Sequence, residues 1–161
     1  MMKLTTSLTQ LDTQPLYVLG SRTVTQTGNE YIYLGGAASV AVYDVVLFNS
    51  GGSVDGMMSY GSVARLPAAA LTSQGPVGIA QAACLAKNFG WFQIFGTGWA
   101  NCGETTTAGS AAMYSSGTAG MVAGGVLAGQ LIFGMYGTGA AGVAHGTIRV
   151  RLNYPAIYGT V

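Results

Sequence analysis

One histidine (His145), two cysteines (Cys84 and Cys102) and five carboxylates (Asp12, Glu30, Asp44, Asp55 and Glu104) form nearly all the catalytic and metal-ligating stock of this 161-residue chain. A serine nucleophile needs a positioned base, and His145 is the only imidazole. It stands between Ala144 and Gly146 at the entrance to an alternating segment, the usual setting of a surface or interface histidine. The carboxylates are scattered, and no two share a spacing that would arrange general acid and general base. Cys84 and Cys102 form no C-x-x-C pair and lie far in sequence from His145, so no zinc set can be assembled. The start, MMKLTTSLTQLD, has one lysine and no apolar run of about seven residues, unlike a secretory leader. Reduced, buried thiols are therefore expected.

Glycine-rich loops raise the question of phosphate binding. No G-x-x-x-x-G-K-[ST] occurs, and Gly120–Gly125 and Gly134–Gly139 lack the strand-to-helix setting and downstream acid of a dinucleotide site. With 26 glycines, such spacings arise by chance. The expectation is no catalytic residue, no cofactor, no metal and no enzyme.

The densest aromatic run is NFGWFQIFGTGW, with Phe89, Trp91, Phe92, Phe95 and Trp99. Packing inside a hairpin explains it, and Trp91 is expected in the core. A stacking platform for bases or sugars would instead expose alternate rings. The scarcity of basic residues argues against bases and leaves sugars open.

Composition narrows the elements that position these residues. Charged residues make up 7% of the chain, against roughly 25% in ordinary domains, and the net charge is +1. Nucleic-acid binding needs clustered Lys and Arg, so no nucleic-acid partner is expected. Half the residues are apolar, which excludes charge-driven disorder. The 26 glycines and 27 serines and threonines favour short strands and tight turns over helices. A chain so close to neutral tends to associate, so much of its surface should be covered in an assembly.

Residues 105–143 carry no charge, and Ala119–Tyr136 (AGMVAGGVLAGQLIFGMY) could be read as a membrane helix with small-xxx-small pairing. Its five glycines, its glutamine and the absence of flanking Lys or Arg argue against that. No membrane partner is expected, and a small glycine-rich membrane oligomer is the weakest of three readings.

Strands are expected at Tyr31–Leu34, Val40–Phe48, Val77–Cys84, Trp91–Phe95, Ala111–Tyr114, Met121–Val126, Leu131–Tyr136 and His145–Tyr154. Asn49–Gly52 should form a turn and 54–71 is ambiguous. In Leu131–Tyr136, alternation sets Leu131, Phe133 and Met135 against Ile132 and Tyr136. In the last segment Arg149, Arg151 and Asn153 alternate with Ile148, Val150, Leu152 and Tyr154. The fold class is therefore mainly β: a single small β-sandwich or barrel domain, residues 29–161, with an extended N-terminal arm, residues 1–28. Composition alone leaves residues 1–28 open between a solvated tail and an arm. Spaced Leu4, Leu8, Leu11, Leu16 and Tyr17 favour an arm that contacts a shell or a sister subunit and orders only there.

Four blocks carry a resemblance: YIYLGGAASVAVYDVVLFN (31–49), GPVGIAQAACLAKNFGWFQIFG (75–96), AAMYSSGTAGMV (111–122) and IRVRLNYP (148–155). In order and spacing they resemble the head decoration, or capsid cement, proteins of tailed bacteriophages. Tyr43 stands where that family often has Gly before the Asp, and the acidic spacer after Met121 is missing. Residues 1–28 match nothing in the family. The resemblance implies a structural virion protein on the outer surface of the capsid, made in the host cytoplasm. Its partners would be the major capsid protein and itself, as a homotrimer at three-fold positions that stabilises the shell. The alternative is a carbohydrate-binding head or tail adhesin, which expects an exposed Trp91 or Trp99.

Overall fold

The computed structural model describes residues 7–54, 57–68, 74–103, 112–124, 130–139 and 146–158. In chain order the strands are β1 (Arg22–Val24), β2 (Glu30–Gly35), β3 (Val45–Val54), β4 (Met57–Arg65) and β5 (Gly75–Ala80). They continue with β6 (Phe89–Asn101), β7 (Ala112–Ser115), β8 (Val122–Gly124), β9 (Leu131–Gly137) and β10 (Thr147–Ile157). No helix occurs among the described residues. The protein is mainly β, in keeping with its β-branched and aromatic content.

The strands form one sheet ordered β1-β2-β4-β3-β5-β6-β10-β9-β7-β8, with β2 also paired to β6 and β5 to β10. The pairings β2–β4–β3–β5–β6–β2 therefore run round a ring. Its β2–β4 link is a single parallel bridge, Gly35 to Ser62, so the ring is not a regular barrel. Strand β6 joins the two halves. Its first part pairs antiparallel with β2 as far as Phe95, and from Phe95 to Asn101 it pairs with β10.

Alternation along β2 and β6 divides the core. Ile32 and Leu34 of β2 and Phe92 and Ile94 of β6 face inward with Val46, Phe48, Val63 and Cys84. Tyr31, Tyr33 and Trp91 point to the other face and form their own buried cluster. A larger core joins Ile79 of β5, Met113 of β7, Ile132 and Met135 of β9, and Ile148, Val150 and Leu152 of β10. Both cysteines are buried.

The structure departs from the sequence expectations where backbone geometry interrupts alternation. The strand expected from Val40 begins only at Val45. Tyr43 adopts a left-handed φ of 65°, and the Asp44 carboxylate accepts a hydrogen bond from the Ala41 amide at 2.9 Å, a side-chain turn that stops the strand. Left-handed φ is strained for a tyrosine and free for a glycine. Asn49–Gly52, expected as a turn, lies within β3 and contains register shifts against β4. Gly134, at φ 75°, breaks the period of β9, so Ile132 and Met135 are buried while Phe133 and Tyr136 are exposed. In β10 the alternation of Ile148, Val150 and Leu152 against Arg149, Arg151 and Asn153 holds. It fails at Tyr154, which has φ 46° within a register shift against β9 and faces outward. The 119–136 stretch contains β8 and most of β9, and no helix among the described residues is long and apolar enough to cross a membrane.

Candidate functional site

The N-terminal segment differs from an arm held off the domain. From Ser7 onward it runs back across the outer face of β2 and β6. Leu8, Tyr17 and Leu19 pack on Tyr31, Tyr33 and Trp91, and Leu11 packs on the inner core that holds Ile32, Leu34 and Phe92. The Tyr17 ring lies 5.2 Å from that of Tyr33 and 5.3 Å from that of Trp91. Asp12 exchanges both backbone hydrogen bonds with Phe89, at 2.9 and 2.8 Å, and β1 extends the sheet beside β2. The physical reason is local. Tyr31, Tyr33 and Trp91 would otherwise show three large rings to water, and the chain's own leucines lie within reach of them. Leu8, Leu11 and Tyr17 are thus engaged within the chain. Leu16 is exposed beside Val18, and Leu4 lies outside the described residues.

Among the two tryptophans the division is sharp. Trp91 is 2% exposed and Trp99 48%. Trp99 stands on the solvent face shared by β6, β10 and β9. There Arg149 pairs in register with Trp99, and Arg151 pairs with Thr97 on one side and Tyr136 on the other. With Asn29 and Thr138 these residues line a continuous open groove whose largest hollow is about 540 Å³.

The walls are held firmly. Asn29 accepts a hydrogen bond from the Thr97 amide at 3.1 Å and donates one to the Thr97 carbonyl at 3.3 Å. It clamps the bend of β6, where Gly96 has φ 93°. A β-carbon at Gly96 would overlap the Asn29 side chain. Beneath the bend, buried Gln93 donates from Nε2 to the Phe95 and Thr97 carbonyls, both at 3.1 Å. Across the groove the Thr138 amide and hydroxyl both donate to the Arg149 carbonyl, at 2.8 and 3.1 Å. Sequence reasoning passed over Asn29, Gln93 and Thr138. The clue was the pair of glycines in Phe95-Gly96-Thr97-Gly98, since close backbone approach calls for a missing side chain.

Among the described residues the groove is lined by two cations, Arg149 and Arg151, and by no carboxylate. The described carboxylates are engaged elsewhere. Asp44 is paired with Arg65 at 2.8 Å, Glu30 accepts from the Tyr154 hydroxyl at 2.9 Å, and Asp12 accepts from the Tyr33 hydroxyl. Neither Arg149 nor Arg151 has an ion-pair partner among the described residues. Burial, and then the bond to Asp12, hold the Tyr33 phenol well above its usual range. Burial pushes the Cys84 thiol up to about 11. No group of three His, Cys, Asp or Glu side chains is placed to hold a metal among the described residues, and His145 lies outside them.

No protein-family model matches this chain, and no curated protein matches it.

Proposed function

We propose that the protein is a capsid decoration protein, bound to the outside of a tailed-phage head and stabilising the shell, with a homotrimer as its unit at three-fold positions. The observation that carries this reading is the surface. A chain with 11 charged residues leaves ten large apolar side chains exposed among its described residues. Leu16 and Val18 sit together on the N-terminal strap, and Phe133 and Tyr158 meet edge to face at 5.3 Å. Such a surface suits permanent cover by subunits and shell, because obligate interfaces are apolar. The order of the four sequence blocks supports the same reading.

The experiment is electron microscopy of particles from cells that make this chain. Density for it outside the shell, in fixed ratio to the major capsid protein and grouped in threes, is the expected result. Shells that form, resist heating equally and carry no such density contradict it.

One observation favours a second reading, the carbohydrate-binding adhesin. Trp99, and not Trp91, is the exposed indole, and it stands at the edge of a groove.

A further inference from the structure

We propose that the groove between β6, β10 and β9 binds a carboxylate-bearing saccharide, with Arg149 and Arg151 taking the carboxylate and Trp99 stacking on the apolar face of a sugar ring. The inference rests on the adhesin reading and names its ligand class. It does not depend on attachment to a capsid.

Two residues apart on β10, Arg149 and Arg151 project from the same face, and no described acid neutralises either. The arginine fork matches a carboxylate in two parallel hydrogen bonds. Two of the six basic residues of the chain thus stand on one concave face with no ion-pair partner among the described residues, a setting that suits an anion. Beside Arg149 in register stands the half-exposed indole of Trp99, and a flat, half-exposed ring suits the C–H face of a pyranose. Around them lie the hydroxyls of Thr97 and Thr138 and the amide of Asn29, groups that exchange hydrogen bonds with sugar hydroxyls. The volume, about 540 Å³, lies inside the range of small-molecule sites, roughly 300–1,000 Å³. Adjoining hollows share Asn29, Thr97 and Arg149 on one side and Arg151 and Thr138 on the other, so the groove has room for more than one sugar. The Asn29 and Thr138 clamps fix the walls in advance, which lowers the ordering needed on binding. Two arginines are too few for a nucleic-acid track. An acidic peptide would satisfy the arginines and leave the indole and the hydroxyl lining without a role.

The test is titration of the free full-length chain with 3′-sialyllactose and with trigalacturonate, followed by tryptophan fluorescence and by calorimetry. Lactose, a hexa-aspartate peptide and an oligothymidylate serve as comparison ligands. Saturable binding of at least one acidic saccharide is expected, with lactose weaker by roughly tenfold or more. Arg149→Gln and Arg151→Gln should each weaken it by a similar factor, and Trp99→Ala should abolish the fluorescence change, all at unaltered melting temperature. Equal or tighter binding of lactose overturns this inference and leaves the adhesin reading standing. Equal or tighter binding of hexa-aspartate or oligothymidylate overturns it in favour of a protein or nucleic-acid contact. No saturation by any saccharide overturns both the inference and the adhesin reading.

Discussion

The Tyr33 hydroxyl donates to Asp12 Oδ2 at 2.5 Å, in a site where Tyr33 is fully buried and Asp12 nearly so. This bond ties the N-terminal strap to the middle of β2, twenty-one residues later. Tyr33→Phe keeps the ring and leaves the buried Asp12 Oδ2 without its donor, so it should destabilise the fold by about 1–3 kcal/mol. Its pH dependence has a defined sign. The folded phenol stays protonated above its usual pKa near 10, so the unfolded chain loses that proton first as pH rises. Stability should therefore be intact below about pH 10 and fall above it, and Tyr33→Phe should flatten part of that fall. Melting curves from about pH 8 to 12 for both proteins check this. An unchanged alkaline slope refutes the assignment.

Because Leu8, Leu11, Asp12 and Tyr17 are anchored on the chain's own domain, removing residues 1–21 should uncover Tyr31, Tyr33 and Trp91. A truncated protein that aggregates or melts well below the full chain is expected. Limited proteolysis of the free protein should spare the bonds near Asp12. Quick loss of the first twenty residues with a stable remainder would restore the picture of an arm that orders only in the assembly.

The two tryptophans should behave oppositely. Trp91→Ala empties a packed aromatic cluster and should cost about 3–5 kcal/mol. Trp91→Phe should cost clearly less, since the indole Nε1 has no hydrogen-bond partner among the described residues to lose. Trp99→Ala, at the surface, should change stability by no more than about 0.5 kcal/mol. Denaturant titrations of the three variants decide the matter, and a large loss for Trp99→Ala would mean it belongs to a core.

At the bend of β6, Gly96 combines φ 93° with a neighbour that a β-carbon would strike. Gly96→Ala should destabilise by more than about 1 kcal/mol. Asn29→Ala, which loses two hydrogen bonds, should cost about 1–2 kcal/mol. The double variant should be less harmful than the sum of the two, since Asn29→Ala vacates the space that the new methyl needs. Strict additivity in unfolding experiments would contradict this packing.

Cys84 is buried, with its thiol held up to about 11. Since the thiolate is the reactive form, a maleimide or disulfide reagent near pH 8 should leave it unmodified in the native protein and label it on unfolding. Rapid stoichiometric labelling of Cys84 without denaturant would show that the site opens.

The strand character of the chain was legible from short-range chemistry. The alternation of Ile148, Val150 and Leu152 with Arg149 and Arg151 specified β10 and its exposed face, because side chains in a strand project at period two. The aromatic run marked Trp91 for the core. Alternation could not show the places where period two breaks: Tyr43, Gly134 and Tyr154 take positive φ, and each redirects the residues after it. Nor could composition decide the fate of residues 7–24. Their leucines suit any apolar surface, and only the fold sets Tyr31, Tyr33 and Trp91 on the outer face of β2 and β6, within the segment's own reach. The groove is likewise a tertiary product. Trp99, Arg149, Tyr136 and Asn29 are distant in sequence; antiparallel pairing of β6, β10 and β9 brings the first three onto one face, and pairing of β2 with β6 sets Asn29 beside them. The residue types and the period of each strand were local matters, whereas the neighbours each face acquires depend on long-range register, which no local pattern encodes.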